Sequence, residues 1–159
     1  LCAEHHFTLS HRITTGGATR FDSVRSGLSK LPAEGLVAVH DGVRPLVSRT
    51  LIRRTFEVAE ETGAALPACP VTDSLRLLGE DDTNEAVDRA RYRAVQTPQT
   101  FDLERLHRAY EQPFSPQFTD DASVYEAAGL GAITLVEGEE TNIKLTTPRD
   151  LLLADLLLD

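Results

Sequence analysis

A short apolar run that ends abruptly in charge is the feature that most constrains the fold of this chain. The stretch "LVAVHDGVRP" at residues 36–45 carries four apolar residues straight into Asp41 and Arg44. An apolar run without alternation predicts a strand covered on both faces, which is typical of a parallel sheet between helices. Ligands bind such sheets outside the carboxyl ends of the strands, so a site is expected at Asp41 and Arg44. The alternative is an ordinary turn.

Strands and helices alternate along the rest of the chain, which predicts an α/β domain. A serine cap, helical spacing of apolar residues and a closing glycine predict a helix over 48–62. Similar patterns predict helices at 22–31 with Asp22 as the N-cap, at 102–112, at 120–128 capped by Asp120 or Thr119, and at 148–158. Strands are predicted at 7–13, 36–40, 64–69 and 132–136.

Residues 70–95 differ from the rest of the chain, because two extended segments flank a polar, acidic tip. This pattern predicts a β-hairpin. A hairpin of this length with a polar tip leaves the core, so we expect an arm that reaches a partner or covers a site. The 159 residues otherwise fit one domain, 1–159.

The formal net charge of −9 argues against nucleic acid or an anionic membrane as the main partner, although a local cationic pocket for phosphate is still possible. Cys2 and Cys69 match no metal-ligand spacing and no disulfide framework. We see no run of membrane-spanning length and no signal peptide, so a cytoplasmic protein is expected. The chain lacks Met and starts at Leu1, so we expect the C-terminal part of a longer protein.

Five polar clusters fall at predicted loops or strand ends, namely 16–23, 40–45, 87–89, 96–101 together with 119–123, and 142–146. An Asp at a strand end can hold a divalent ion, and a nearby Arg can clamp a phosphate through two hydrogen bonds. Lys144 lies in an apolar stretch, where it needs an anionic partner or a route to water. Each cluster alone has a plain structural explanation as a turn, a helix cap or a solvated charge.

Taken in order, six motifs closely resemble the cytidylyltransferases that act on 2-C-methyl-D-erythritol 4-phosphate in the non-mevalonate isoprenoid pathway. They are "GGATRFDSV", "VHDGVRP", "VDR", "QTPQTF", "TDDAS" and "EGEETNIKLTTPRDL", and the resemblance covers about residues 8–158. It implies a three-layer, Rossmann-like nucleotidyltransferase fold with a mostly parallel sheet and a protruding β-arm. It also implies that CTP and methylerythritol phosphate give a CDP-alcohol and pyrophosphate, with the aid of Mg²⁺.

The resemblance assigns roles by motif. It implies catalytic roles for Asp41, Arg44 and Lys144, with Asp41 also near the metal and the ribose. It places Gly17, Ala18 and Ser23 at the cytosine and ribose, and Ser74, Arg89, Thr97, Thr119 and Lys144 at the acceptor. In this family the arm, here 70–95, crosses to the other subunit, which implies a homodimer with shared sites.

Some features depart from the family pattern. Family members begin with a glycine-rich loop whose Arg and Lys wrap the CTP phosphates, and the chain contains no such segment. Ala18 stands where some members have an acidic residue, and Ser74 stands where they have Thr. Two alternatives stay open: a sister cytidylyltransferase that uses ribitol 5-phosphate, and a non-catalytic domain that keeps the fold for dimerisation or regulation.

Overall fold

The computed structural model describes residues 4–158, in which helices and strands alternate around one main sheet. In chain order the elements are α1 (Arg20–Leu28), β1 (Leu36–Val39), α2 (Arg49–Thr62), β2 (Ala64–Pro70), β3 (Arg76–Leu78), β4 (Asn84–Ala86), β5 (Arg93–Val95), β6 (Gln99–Asp102), α3 (Leu103–Ala109), α4 (Asp121–Ala127), β7 (Thr134–Glu137) and α5 (Pro148–Leu158).

The α/β architecture is confirmed, but the expected parallel majority is wrong for the described strands. β1 pairs with β6, and β2 pairs with β5 and β6, all antiparallel, whereas β2 and β7 form the parallel pair. β1, β2 and β7 therefore run in one direction, with β6 inserted between β1 and β2 in the opposite direction. An apolar run indicates that both faces of a strand are covered, but it does not predict the direction of the neighbouring strand.

Burial along β2 shows the three layers. Ala64 and Leu66 belong to a core cluster formed with α1, α3 and α4, whereas Ala65 packs with Ala59 of α2 and Val136 of β7. Alternate residues of a strand point to opposite faces of a sheet. The sheet therefore lies between α2 on one face and α1, α3 and α4 on the other, as the three-layer prediction requires.

Local capping chemistry sets the ends of most helices. Ser48 accepts a hydrogen bond from the Leu51 N–H, and α2 ends at Gly63, whose φ of 88° is in the left-handed region that favours glycine. α1 begins earlier than predicted, because Thr19 and not Asp22 is its N-cap. α3 is shorter than the predicted 102–112, because Asp102 is its N-cap and the helix already ends at Ala109, with Tyr110 as the C-cap.

Two strand assignments differ from the predictions. Residues 7–13 form no strand, since the described part of the chain offers them no pairing neighbour. A strand needs a neighbour for its backbone groups, which an alternating pattern alone does not provide. Conversely, 99–102 forms β6, although its sequence suggested a turn or ligand-facing loop.

The predicted hairpin is present as β3 and β4, which form a two-stranded sheet separate from the main one. The outer parts of 70–95 rejoin the main sheet, because Pro70 of β2 pairs with Arg93 of β5. Among residues 4–158, no helix combines the length and apolar character needed to cross a membrane. Cys69 is a half-buried free thiol whose pKa is raised by burial, and Cys2 lies outside the described residues.

Candidate active site

A small polar cleft of about 140 Å³ opens beyond the carboxyl end of β1. Five separate segments contribute to it, from the start of α1 to the loop that precedes α5. Its lining residues are Arg20, Asp41, Arg44, Val95, Gln96, Thr97, Gln99, Thr119, Asp120 and Lys144. Charged and hydrogen-bonding side chains thus dominate the cleft, which indicates a site for a polar ligand.

Asp41 is the charged centre of the cleft, and three cations face it. Its Oδ2 lies 3.2 Å from Lys144 Nζ and 3.7 Å from Arg44 Nε, while its Oδ1 lies 3.8 Å from Arg20 Nη2. Arg20 is also neutralised by Asp121, whereas Arg44 and Lys144 share Asp41 as their one carboxylate partner among the described residues, so this side of the cleft has a positive surplus. Such a surplus favours an anionic ligand.

The backbone that carries Asp41 is fixed by side chains from β1 and its neighbours. The Asp41 N–H donates to Thr97 Oγ1 at 3.0 Å, and this hydroxyl also lies 2.9 Å from His40 Nδ1. The other nitrogen of His40 lies 2.9 Å from the carbonyl oxygen of Arg44. The turn at 40–44 is therefore held from both sides, which fixes the backbone that carries the Asp41 side chain.

Arg44 combines burial with an unused donor. Its Nη1 donates to the carbonyl oxygen of Asn142 at 2.7 Å. Its Nε is buried and has no hydrogen-bond partner among the described residues. A buried polar group without a partner is costly, so a donor of this kind in a cationic cleft fits a site that binds an anion such as phosphate.

Thr97 lies in a break between β5 and β6. The register shows that two residues of β2, 66–67, face four residues of the opposite segment, 96–99. This two-residue bulge pushes Thr97 toward the cleft, and bulges of this kind commonly redirect side chains next to active sites. The whole segment 96–99 is buried, so the bulge is rigidly packed.

A buried amide network attaches the loop that carries Lys144. Asn142 donates from Nδ2 to the carbonyl oxygen of Thr97 at 2.8 Å, and Gln96 donates from Nε2 to the carbonyl oxygen of Glu139 at 2.8 Å. The Leu145 N–H donates to the carbonyl oxygen of Val43 at 2.8 Å. These bonds tie the loop to both the bulge and the turn at 40–44, which places Lys144 beside Asp41.

The start of α4 forms the remaining wall. Asp120 caps the helix in a capping box with Ser123, and its other oxygen accepts from Gln99 Nε2 at 2.8 Å. The next residue, Asp121, is fully buried and binds Arg20 and the Tyr110 hydroxyl, each at 2.5 Å. Burial and the neighbouring carboxylate raise the pKa of Tyr110, so the phenol stays protonated and acts as a donor.

The structure brings together five of the residues implied by resemblance, namely Asp41, Arg44, Thr97, Thr119 and Lys144. Gly17, Ala18 and Ser23 lie instead in and beside the loop before α1. There the Gly17 N–H donates to Ser23 Oγ, which itself donates to the carbonyl oxygen of Thr19. A Cβ at Gly17 would overlap Asp22, so the close approach of this loop to α1 requires glycine.

Ser74 and Arg89 do not line the cleft of their own chain. Both are exposed, and Arg89 donates from Nη1 to the carbonyl oxygen of Thr72 at the base of the hairpin. The cleft of a single chain therefore does not contain these two residues.

Sequence reasoning assigned no role to Arg20, Gln96 or Gln99, which all line the cleft. The two glutamines lie in the "QTPQTF" run, where they could equally satisfy a turn. The sequence carries no local signal for Arg20, because an acidic residue in the first turn of a helix, such as Asp121, is favourable there without a cation.

Comparison with known proteins gives one consistent result. A family model described as 2-C-methyl-D-erythritol 4-phosphate cytidylyltransferase (IspD) matches residues 4–159. The chain is 55% identical to the enzyme of that name from Porphyromonas gingivalis, over 99% of this chain and 71% of the relative. It is 51% identical to the enzyme of the same name from Bacteroides thetaiotaomicron, with the same coverage of both chains.

Solved structures agree. The crystal structure of 2-C-methyl-D-erythritol 4-phosphate cytidylyltransferase from Thermus thermophilus superposes with a TM-score of 0.77 at 41% identity, covering 90% of this chain and 71% of that one. The structure of 4-diphosphocytidyl-2C-methyl-D-erythritol synthase from Anaerococcus prevotii gives a TM-score of 0.81 at 32% identity, covering 90% and 68%.

Proposed function

The chain belongs to the 2-C-methyl-D-erythritol 4-phosphate cytidylyltransferase family, and we propose that the cleft around Asp41 is where the family's reaction takes place. In this reaction a phosphate oxygen of methylerythritol phosphate attacks the α-phosphorus of CTP. The bond from the α-phosphorus to the bridging oxygen breaks, and pyrophosphate leaves. Because the protein forms no covalent bond in this step, its contribution is positioning and charge stabilisation.

The observation that carries the proposal is the balance of charge around Asp41. Arg44 and Lys144 share the carboxylate of Asp41, while Arg20 is also paired with Asp121, and Arg44 keeps a buried N–H donor without a partner among the described residues. Both substrates are phosphate esters, so they supply the negative charge and the hydrogen-bond acceptors that this cleft favours. Cations fixed before the reaction stabilise charge that develops on the phosphoryl oxygens.

The acceptor binds, in this proposal, between Thr97, Thr119 and Lys144. Lys144 is half exposed at 49%, so its ammonium group can shift from Asp41 toward a substrate phosphate. Thr119 is exposed at the wall formed by α4. Thr97 is buried and already accepts the Asp41 N–H, so it links the acceptor to the backbone of the catalytic turn.

The nucleotide base and ribose bind, in this proposal, along the loop before α1. The hydroxyl of Ser23 is already engaged with Gly17 and Thr19 inside the loop. Recognition of cytosine therefore falls on the backbone groups of Gly17 and Ala18, which are exposed. An alanine at 18 is compatible with that role, because the backbone and not the side chain makes the contact.

The residues present also fit Mg²⁺ with Asp41 as a protein ligand. No group of three or more His, Cys, Asp or Glu among residues 4–158 is placed to hold a metal. Mg²⁺ commonly takes only one or two carboxylates and completes its coordination with substrate phosphates and water. When bound with CTP, the ion would neutralise charge on the phosphates.

We further propose that the enzyme works as a homodimer in which the hairpin of one chain completes the cleft of the other. β3 and β4 form a two-stranded sheet that pairs with nothing else in the described chain, and Leu77 and Leu78 on it are 56% and 78% exposed. Isolated two-stranded hairpins are marginally stable in water, which favours a partner for this one. Arg89 and Ser74 would then contact the acceptor in the partner's cleft.

The choice of acceptor tests the proposed function. Pyrophosphate release by the intact enzyme with CTP should be faster with methylerythritol phosphate than with ribitol 5-phosphate at equal concentration. Faster release with ribitol 5-phosphate would contradict the assignment of substrate. No release with either acceptor, from a protein that still binds CTP, would favour the non-catalytic alternative.

A further inference from the structure

Arg20 connects the catalytic cleft to a buried carboxylate far away in the sequence. It is the first residue of α1, and its Nη2 lies 2.5 Å from Asp121 Oδ2 and 3.8 Å from Asp41 Oδ1. One nitrogen thus faces both carboxylates, and the guanidinium group offers further N–H donors around it. Arg20 therefore lies between Asp121 and Asp41.

Asp121 is held from two sides in the protein interior. Its side chain is fully buried, and its Oδ1 accepts from the Tyr110 hydroxyl at 2.5 Å. Tyr110 is itself buried and stacks on Phe21, the neighbour of Arg20 in α1, with ring centroids 4.7 Å apart. The pair Tyr110–Asp121 is therefore rigid, and it sits against the same helix that carries Arg20.

Helix capping does not explain Asp121, because Asp120 already caps α4. A buried carboxylate is destabilising unless it is paired. Asp121 is paired with Arg20. Burial lowers the pKa of Arg20, but the hydrogen bond and the charge of Asp121, together with Tyr110 and Asp41, outweigh burial and raise it. When Asp121 fixes the guanidinium group of Arg20 in this way, the part of the group that faces Asp41 is also held in place.

The two oxygens of Asp41 face different cations. Oδ2 faces Arg44 and Lys144, whereas Oδ1 faces Arg20. Without Arg20, the attraction on Asp41 would come from one side, and the carboxylate would rotate toward Lys144 and Arg44. Arg20 therefore affects how the carboxylate of Asp41 is oriented within the cleft.

We propose that Arg20 is a positioning residue for the reaction: the Tyr110–Asp121 pair fixes its guanidinium group, and this group fixes the carboxylate of Asp41. The inference rests on the proposed function of Asp41. Arg20 acts through Asp41 and not through the substrates, so its removal should lower kcat and leave the KM values for CTP and methylerythritol phosphate nearly unchanged.

The test compares Arg20→Gln, Arg20→Lys and the control Arg25→Gln in the intact enzyme. Arg25 is also on α1 and pairs with Asp22 at 2.9 Å, but it does not line the cleft. Arg20→Gln should lower kcat roughly ten- to hundredfold, as is usual when the partner of a functional group is removed. Arg20→Lys keeps the charge but not the planar guanidinium group, so its kcat should lie between those of Arg20→Gln and wild type. The kcat of Arg25→Gln should match that of wild type.

A double-mutant cycle with Asp41→Asn separates positioning from a general effect on the fold. If Arg20 acts through Asp41, Arg20→Gln should cost little further activity in the Asp41→Asn background. Equal losses in both backgrounds, an unchanged kcat in Arg20→Gln, or a large rise in either KM would overturn the inference. Normal turnover in Asp41→Asn itself would instead overturn the proposed function of the cleft.

Tyr110→Phe provides a second test if Arg20→Gln melts at a much lower temperature than wild type. This change removes the donor to Asp121 Oδ1 and leaves the aromatic stacking and the Arg20 charge in place. It should lower kcat several-fold with unchanged KM values. A Tyr110→Phe enzyme with wild-type kcat would contradict the claim that this pair fixes Arg20.

Discussion

At the scale of single residues, the contacts of Asp41 indicate that its carboxylate matters more for function than for the stability of the fold. Its N–H is held by Thr97 Oγ1, and this bond survives a change of side chain. The carboxylate is 17% exposed and meets its three cations at 3.2 to 3.8 Å. The pairs with the partly exposed Arg20 and Lys144 contribute modestly to folding, on the order of 1 kcal/mol or less each.

Asp41→Asn should therefore reduce turnover far more than it reduces stability. The amide keeps the shape of the side chain but removes the charge that balances the cations, so turnover should fall about a hundredfold or more. Pyrophosphate release and thermal melting on the same samples measure both effects. Asp102→Asn is a suitable control, because Asn caps a helix as well as Asp does at the start of α3. Near-normal turnover in Asp41→Asn would make Asp41 only a turn residue.

Magnesium binding should depend on the nucleotide. Asp41 is flanked by cations that repel a free metal ion, and the two neighbouring carboxylates are committed, since Asp120 caps α4 and Asp121 binds Arg20. Calorimetric titration with Mg²⁺ should show weak binding without CTP and at least about tenfold tighter binding with it. Asp41→Asn should weaken the second titration. Tight binding of Mg²⁺ to the free protein would contradict Asp41 as a ligand shared with CTP.

At the scale of helices and strands, the sequence predicts elements that depend on neighbouring residues. Ser48 and Gly63 determine the ends of α2, and Asp120 determines the start of α4, each through bonds within a few residues. The formation of β6 and the directions of the strands depend on which distant segments pair in space, and a local sequence pattern does not predict this pairing. The pairing of Arg20 with Asp121, 101 positions apart, is unpredictable from sequence for the same reason. The family resemblance carried by the ordered motifs nevertheless named five residues that line the cleft, namely Asp41, Arg44, Thr97, Thr119 and Lys144.

The start of α5 gives a prediction about pH. The N–H groups of Thr146 and Thr147 donate to Asp150 and hold its pKa below the usual value. A carboxylate with a lowered pKa in the folded state stabilises the protein above its ordinary pKa, and this contribution is lost as pH falls through the lowered value.

Asp150→Asn should therefore lower the melting temperature near neutral pH, and its difference from wild type should shrink as pH falls below about 4. Melting temperatures across this range measure the effect. Asp155→Asn removes the same charge from the same helix without these two bonds and should show no such pH-dependent difference. A difference from wild type that stays constant through the acidic range would contradict the role of the Asp150 charge.

At the scale of the whole molecule, the residues that we propose to act on the substrates lie in two places. Asp41, Arg44 and Lys144 line the cleft, whereas Ser74 and Arg89 lie at the base of an exposed hairpin. The central claim is that a complete active site takes its cleft from one chain and its arm from a second. Symmetric dimers form two such sites, each with contributions from both chains.

Mixing two inactive variants tests this claim most directly. In Arg89→Ala the cleft is intact and the arm is defective, whereas in Asp41→Asn the reverse holds, so each homodimer should be nearly inactive. After subunit exchange, half of the dimers are mixed and each mixed dimer has one fully intact site, so activity should return to roughly a quarter of wild type. Native mass spectrometry counts the mixed dimers, and pyrophosphate release measures their turnover. Mixed dimers that form without any return of activity would show that Arg89 and Asp41 serve the same chain's site, and would contradict the account.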